Sequence, residues 1–120
     1  MKDLIFIIFL TLLTIFLLGF AHPVTESSSL GDPELGQEIY DSNGCGACHR
    51  INGLGGTIGP DLTEVWKKGD EYIRESIFEP RKVVVKGYKP VMPSFKKVLT
   101  ESDVDNIIAY LKSLKKKGKK

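Results

Sequence analysis

Cysteine and histidine are scarce in this sequence, with two residues of each among 120. Both cysteines lie in one short segment that ends at His49, so no cysteine remains to build a disulfide framework elsewhere. A zinc site needs four ligands, and here it would have to use every cysteine and histidine, including the distant His22. A disulfide scaffold is therefore excluded, and a zinc site is disfavoured.

Charge of one sign is concentrated only at the carboxyl end. Residues 22–111 carry ten Lys or Arg and fourteen Asp or Glu, a balance of −4, whereas the segment from Lys112 onward has six lysines and no acid. We interpret residues 116–120 as a basic tail. It is either a solvated helix end that the helix dipole favours or a docking element for an anionic membrane or partner. No nucleic-acid partner is predicted.

Long hydrophobic runs are limited to one, LIFIIFLTLLTIFLLGFA at residues 4–21. The run is somewhat long for the apolar core of a secretory signal and at the short limit for a membrane span. Gly19 and Ala21 are small residues at the positions that a signal peptidase reads. We therefore predict that residues 1–21 are a signal peptide or an N-terminal membrane anchor, followed by a polar linker at 22–32. Both outcomes place the remaining chain in the periplasm or at the outer face of the cytoplasmic membrane.

The segment Cys45-Gly46-Ala47-Cys48-His49 has the spacing C-x-x-C-H, the attachment signature of c-type haem. The two thiols can add to the two vinyl groups of one porphyrin, and the histidine is then placed under the iron as an axial ligand. A bare C-x-x-C also occurs in redox dithiols and zinc sites. A thioredoxin-like dithiol follows a strand, whereas this motif follows a helical pattern and precedes a glycine-rich loop. One covalent haem c is predicted, with a dithiol as the main alternative.

Helical patterns dominate the rest of the chain, and almost nothing indicates β structure. Asp32 followed by Pro33 predicts a capped helix that ends near Ser42. The glycine-rich stretch 51–61 predicts a loop that closely approaches a ligand. Further along, the pattern predicts the following elements: a short helix at 62–68, a second helix capped by Asp70 and stopped by Pro80, and an extended segment at 82–88.

The last predicted helix has the clearest signal. Thr100 and Ser102 are candidate caps. After them, apolar residues recur at spacings of three and four, which indicates one stripe of an amphipathic helix: Val104, Ile107, Ile108, Leu111 and Leu114. The predicted fold class is all-α, a small domain of three to five helices wrapped around one covalent haem.

Met92 is the candidate for the second axial position of the iron. Met1 is the start residue, His22 lies in the predicted linker, and lysine would have to lose a proton before binding. Prolines in the segment Lys89-Pro90-Val91-Met92-Pro93 fix the backbone on both sides of the methionine. An isolated methionine is more often a core filler. With His49 assigned and no rival, we predict that the iron is ligated by His49 and Met92.

In these features the chain resembles a class I monohaem c-type cytochrome, close in character to the cytochrome c domain of haem–copper oxidase subunit II. The resemblance covers about residues 33–115. It depends on these residues: Gly36, Tyr40, Cys45-Gly46-Ala47-Cys48-His49, Gly59-Pro60-Asp61-Leu62, Gly87-Tyr88, Val91-Met92-Pro93 and Ile108-Ala109-Tyr110-Leu111.

The resemblance implies that the first and last helices of this domain cross near Gly36, Tyr40 and Tyr110. It also implies that the Pro60 carbonyl accepts a hydrogen bond from His49, which fixes the ring and raises its basicity. Candidate donors to the haem propionates have aromatic rings with a polar tip: Trp66, Tyr72 and Tyr88.

A haem iron with both axial positions filled has no open site for a substrate, so we predict a one-electron carrier and not an enzyme. Its partners would be redox proteins. The protein itself would be a monomer or a subunit of a complex. Three alternatives stay open: a dedicated haem subunit of a larger respiratory, nitrogen-oxide or sulfur-oxidising complex, a haem enzyme or gas sensor in which Met92 leaves the iron, and a dithiol or zinc protein without haem.

Overall fold

The computed structural model describes residues 1–18 and 31–117. Within these residues there are five α-helices: α1 (Lys2–Leu18), α2 (Pro33–Ser42), α3 (Cys45–Cys48), α4 (Asp70–Phe78) and α5 (Glu101–Lys117). Single 3₁₀ turns occupy Val65–Lys68 and Pro80–Lys82, and the two-residue strands β1 (Arg50–Ile51) and β2 (Leu54–Gly55) pair antiparallel. The all-α fold class is confirmed. The small hairpin begins at Arg50 and otherwise lies within the stretch 51–61 that the sequence predicted as loop.

Helix α1 contains most of the apolar run, and its side chains from residue 4 to 16 are exposed. In the described parts of the chain, no helix has both the length and the hydropathy needed to cross a bilayer. Most of the predicted linker at 22–32, and residues 118–120 of the predicted basic tail, lie outside the described residues. The export or anchoring role of residues 1–21 stays a prediction.

Helix α2 begins and ends where the sequence predicted. The Asp32 carboxylate accepts hydrogen bonds from the backbone N–H groups of Glu34 and Leu35, at 2.8 and 3.2 Å, and so satisfies two donors of the first turn. At the other end the Asn43 side chain donates to the Ile39 carbonyl at 2.8 Å. Gly44 has a φ of +68°, a conformation that favours glycine, and it directs the chain straight into α3.

Helix α5 begins with a reciprocal capping arrangement. The Asp103 N–H donates to the Thr100 hydroxyl at 3.1 Å, and the Thr100 N–H donates to the Asp103 carboxylate at 2.8 Å. The carboxylate accepts hydrogen bonds from the N–H and the hydroxyl of Thr100, and these lower the pKa of Asp103 below its ordinary value. Thr100 is therefore the cap of this helix, and Ser102 lies inside its first turn.

Two local predictions on the α4 side were wrong. Asp70 is the first residue of α4 and not its cap, which is Gly69, a residue without a capping side chain. The segment 82–88 is not extended throughout, because Lys82 ends a 3₁₀ turn and the Tyr88 N–H closes a further turn onto the Val85 carbonyl at 3.0 Å. The sequence offered no partner strand for this valine run, and none is present in the described residues.

The core lies where α2 and α4 pack against α5. Each predicted stripe residue of α5 is buried, together with Ile73 and Ile77 of α4 and with Tyr40 of α2. The rings of Tyr40 and Tyr110 lie 5.5 Å apart between centroids, tilted by 57°. The crossing of α2 and α5 that the resemblance implied is present.

Gly36 sets how closely α2 approaches α5. A Cβ atom at this position would overlap the backbone carbonyl of Asn106. A hydrogen bond next to Gly36 stabilises this close contact of the two helices: the Asp32 N–H donates to the Asn106 side-chain oxygen at 2.8 Å. A side chain at position 36 must push the two helices apart.

We expect Gly36→Ala to lower the free energy of unfolding by about 3 kcal/mol, because the added methyl group has no space against a backbone atom. Denaturant unfolding of the haem-containing protein measures the effect. Gln37→Ala, on the exposed face of the same helix, is the control and should change stability little. Unchanged stability of Gly36→Ala would contradict the close helix crossing.

Tyr40 has a hydroxyl oxygen that is enclosed by the protein and has no hydrogen-bond partner. Burial raises the pKa of Tyr40 above its ordinary value, with a smaller contribution from Cys45. Enclosing an unpaired hydroxyl costs free energy. Tyr40→Phe should therefore raise the free energy of unfolding by about 1 kcal/mol, because only the unpaired oxygen is removed.

Thermal or denaturant unfolding checks this expectation. Tyr110→Phe is the matched control, since it removes a neighbouring hydroxyl that is not in this enclosed, unpartnered state. A clear loss of stability in Tyr40→Phe would show that the Tyr40 hydroxyl has a partner in solution.

Candidate haem-binding site

A cavity of about 1030 Å³ opens between α3, the loop that follows it, α4 and the segment 83–95. Its volume lies at the upper end of the roughly 300–1,000 Å³ usual for organic ligands. The wall includes most of the predicted site residues: Cys45, Cys48, His49, Pro60, Tyr88 and Met92. Residues from three separate parts of the sequence therefore face one space.

Helix α3 is a single turn that presents both thiols to this cavity. It spans Cys45–Cys48, and the His49 N–H closes it onto the Cys45 carbonyl at 3.0 Å. Both cysteines are free and half-buried. Burial raises the pKa of the Cys45 thiol above its ordinary value, so this group is a neutral thiol at pH 7.

The imidazole of His49 is buried, with 8% of the residue exposed. Its Nδ1 lies 2.8 Å from the Pro60 carbonyl oxygen. A carbonyl can only accept, so Nδ1 carries the proton and donates, and Nε2 keeps its lone pair for a metal. The contact that the resemblance implied for Pro60 is present.

Gly59 makes the space that the His49 ring occupies. A Cβ atom on Gly59 would overlap the ring. The same loop is attached to the C-x-x-C turn by backbone hydrogen bonds, Gly59 N–H to Cys48 O at 2.8 Å and Gly56 N–H to Gly46 O at 2.9 Å. The sequence predicted that these glycines closely approach a ligand. Gly59 lines the cavity, and Gly56 fits against the attachment turn.

Met92 reaches the cavity from a segment that contains neither helix nor strand. The residue is half-buried between Pro90 and Pro93, both of which also line the cavity. Its thioether sulfur is a soft, weak ligand of the kind that haem iron accepts. The fold therefore brings Met92 into the same cavity as His49.

The three aromatic candidates have different positions. Tyr72 and Tyr88 line the cavity, and Tyr88 is 38% exposed. Trp66 is not part of the cavity wall. Its ring lies beneath two ammonium groups, Lys67 Nζ at 5.5 Å and Lys115 Nζ at 5.1 Å from the ring centroid. The structure thus gives Trp66 cation–π contacts outside the cavity wall, and its role as a propionate donor stays a prediction.

The apolar wall of the cavity was missed by the sequence. Ile73 and Ile77 of α4 and Ile107 and Leu111 of α5 face both the core and the cavity, whereas their spacing indicated only a helix stripe. Val83, Val84 and Val85 also line it. In the sequence, the valine run without a partner strand was the one signal that could have indicated an apolar cavity wall.

The arrangement suits a covalently held haem. Two free thiols on one turn, an imidazole with a free Nε2 and a thioether all face one cavity with apolar walls. A family model described as Cytochrome c matches residues 33–115, more than half of the chain. The chain belongs to the cytochrome c family.

A curated relative fits this membership. Cytochrome c oxidase subunit 2 of Alkalihalophilus pseudofirmus is 28% identical over 89 residues, covering 67% of this chain and 25% of that protein. The chain thus spans about a quarter of the length of this relative. The predicted cofactor, one covalent haem c at Cys45 and Cys48, is confirmed at the level of the family, as is the resemblance to a monohaem cytochrome c. Members of the family transfer electrons through haem and are carriers, not catalysts.

Proposed function

We propose that this cytochrome c is a one-electron carrier whose haem is attached to Cys45 and Cys48 and ligated by His49 and Met92. The observation that carries the proposal is the His49 ring, which is held by the Pro60 carbonyl through Nδ1 and faces the cavity that Met92 also lines. When bound, the haem supplies an iron that changes its charge by one electron.

The residues around the cavity have complementary tasks. Pro60 orients the imidazole and increases its basicity as a ligand. Met92 would be the second protein ligand of the iron, and its soft sulfur would favour the reduced iron and so raise the reduction potential. The isoleucines and valines of the wall exclude water, which keeps the local dielectric low. With both iron ligands supplied by the protein, no substrate would have a place to bind at the iron.

We further propose that the carrier works outside the cytoplasmic membrane between redox protein partners. Residues 1–21 would direct or anchor it there, residues 22–32 would serve as linker, and residues 33–115 would form the haem domain. The apolar run of α1, with exposed side chains from residue 4 to 16, supports this placement.

A redox titration combined with carbon monoxide binding tests the function. The haem absorption should follow a one-electron Nernst curve, about 59 mV per tenfold change in the oxidised-to-reduced ratio. The reduced protein should not bind carbon monoxide readily at neutral pH. Rapid binding would show an open axial position and would favour the haem enzyme or gas sensor.

A second function is favoured by the relative, which is named as an oxidase subunit and is matched over a quarter of its length. The chain would then be the haem c subunit of a larger redox enzyme complex. Affinity purification of the full chain from membranes under mild detergent tests this. Stoichiometric recovery of other redox subunits supports the complex, and recovery of the chain alone supports the mobile carrier.

A further inference from the structure

The segment that carries Met92 is attached to the rest of the fold mainly on one side. Before Met92 the backbone bonds are local, Tyr88 N–H to Val85 O at 3.0 Å and Val91 N–H to Lys89 O at 2.9 Å. After Met92 the attachments reach another element, the carboxyl end of α4. The position of the methionine therefore depends on residues that follow it.

Two of these attachments use the last carbonyl groups of α4. The Ser94 hydroxyl donates to the Phe78 carbonyl at 2.6 Å, and the Phe95 N–H donates to the Ile77 carbonyl at 3.0 Å. The last carbonyls of a helix have no partner within the helix. Helix α4 ends at Phe78, and Pro80 does not continue it, so these carbonyls remain available for partners from elsewhere.

A third attachment is weaker. Lys96 Nζ lies 2.8 Å from a Glu79 carboxylate oxygen, and this hydrogen bond lowers the pKa of Glu79. Both side chains are substantially exposed, 66% and 38%, and exposed ion pairs contribute little to stability. The hydroxyl of Ser94 is thus the nearest side-chain anchor to Met92.

Only Pro93 separates Met92 from Ser94, and its ring fixes the intervening φ angle. Few backbone torsions are therefore free between the two residues, so a displacement of Ser94 also displaces Met92. We propose that Ser94 is a positioning residue for Met92. Its hydrogen bond to the Phe78 carbonyl holds the thioether in the cavity wall and limits entry of a competing axial ligand. This inference rests on the proposed axial role of Met92.

Imidazole binding to the oxidised haem-containing protein measures this role. Imidazole binds only when Met92 has left, so its apparent affinity scales with the population of the open state. A single hydrogen bond changes such a population by roughly 2- to 10-fold. For Ser94→Ala we expect about threefold tighter imidazole binding and a similar rise in the binding rate reached at saturating imidazole.

Ser113→Ala is the matched control, because the Ser113 hydroxyl also donates to a backbone carbonyl, that of Tyr110, at 2.7 Å, away from the cavity wall. It should leave imidazole binding unchanged, even if the free energy of unfolding falls as much as in Ser94→Ala. Ser94→Thr keeps the hydroxyl and should restore the parent behaviour. This pattern separates positioning from general destabilisation.

The outcomes separate this inference from the proposed function. If Ser94→Ala binds imidazole like the parent while Met92→Ala binds it much more tightly, Met92 is a ligand and the role of Ser94 is refuted. If Met92→Ala also binds imidazole like the parent, Met92 is not a ligand of the iron. The proposed ligation is then refuted, and with it the role of Ser94. Equal changes in Ser94→Ala and Ser113→Ala would likewise overturn the positioning role.

Discussion

Replacing both Cys45 and Cys48 by alanine should abolish covalent attachment of the haem. Each thiol would form one thioether bond, and no other cysteine is present in the sequence. The variant should migrate on a denaturing gel without haem colour, and its intact mass should equal that of the polypeptide alone. The haem also fills a large part of this small core, so we expect the haem-free protein to lose its cooperative unfolding transition.

The single variants make this expectation sharper. Cys45→Ala and Cys48→Ala each keep one thiol on the same helical turn, so each should retain some colour through one remaining bond. His49 is intact in all three variants, which separates covalent attachment from axial ligation. A red band from the double variant after denaturation would show that the attachment does not use these thiols.

Met92→Ala should lower the reduction potential and open one axial position, while leaving the haem covalently attached. Axial ligands set haem potentials over a range of about 0.8 V, and we expect a decrease on the order of 0.2 V when the thioether is lost. The physical reason is the preference of a soft sulfur for reduced iron. A potentiometric titration gives the shift, and binding of carbon monoxide to the reduced variant reports the open position.

Val91→Ala is the matched control for this experiment. Val91 is adjacent in sequence, lines the same cavity and is 58% exposed, so its truncation disturbs the segment without removing a ligand. Its potential should remain close to that of the parent. A Met92→Ala potential equal to the parent value would remove Met92 from the axial position.

Features with a local cause were predicted correctly from the sequence. The bounds of α2 follow from Asp32 and Pro33 at one end and Gly44 at the other, all within one or two turns of the helix. The buried stripe of α5 follows from the 3.6-residue period alone. These signals succeed because the residues that cause the structure are the residues that adopt it.

Predictions that depended on the environment failed more often. Asp70 has the chemistry of a cap, but the preceding Gly69 takes that position. Val83 to Val85 have strand propensity, but the cavity supplies their apolar contacts without a strand. Trp66 has the polar tip of a propionate donor, but its ring packs against Lys67 and Lys115 outside the cavity wall, so this role stays a prediction. Local propensity does not decide the structure where the surrounding fold supplies the contacts, as the cavity does for the valines.

The sequence alone therefore predicted the chemistry of the site, since one turn of chain is enough to place two thiols and an imidazole together. The sequence did not predict the contacts that anchor the segment of Met92. It requires the end of α4 to offer unpaired carbonyls at the place where Ser94 and Phe95 pass, and the fit of Gly59 under the His49 ring requires the loop to fold back onto α3. Such contacts join residues that are far apart along the chain. Packing geometry determines them, and no periodicity or composition of the sequence predicts them.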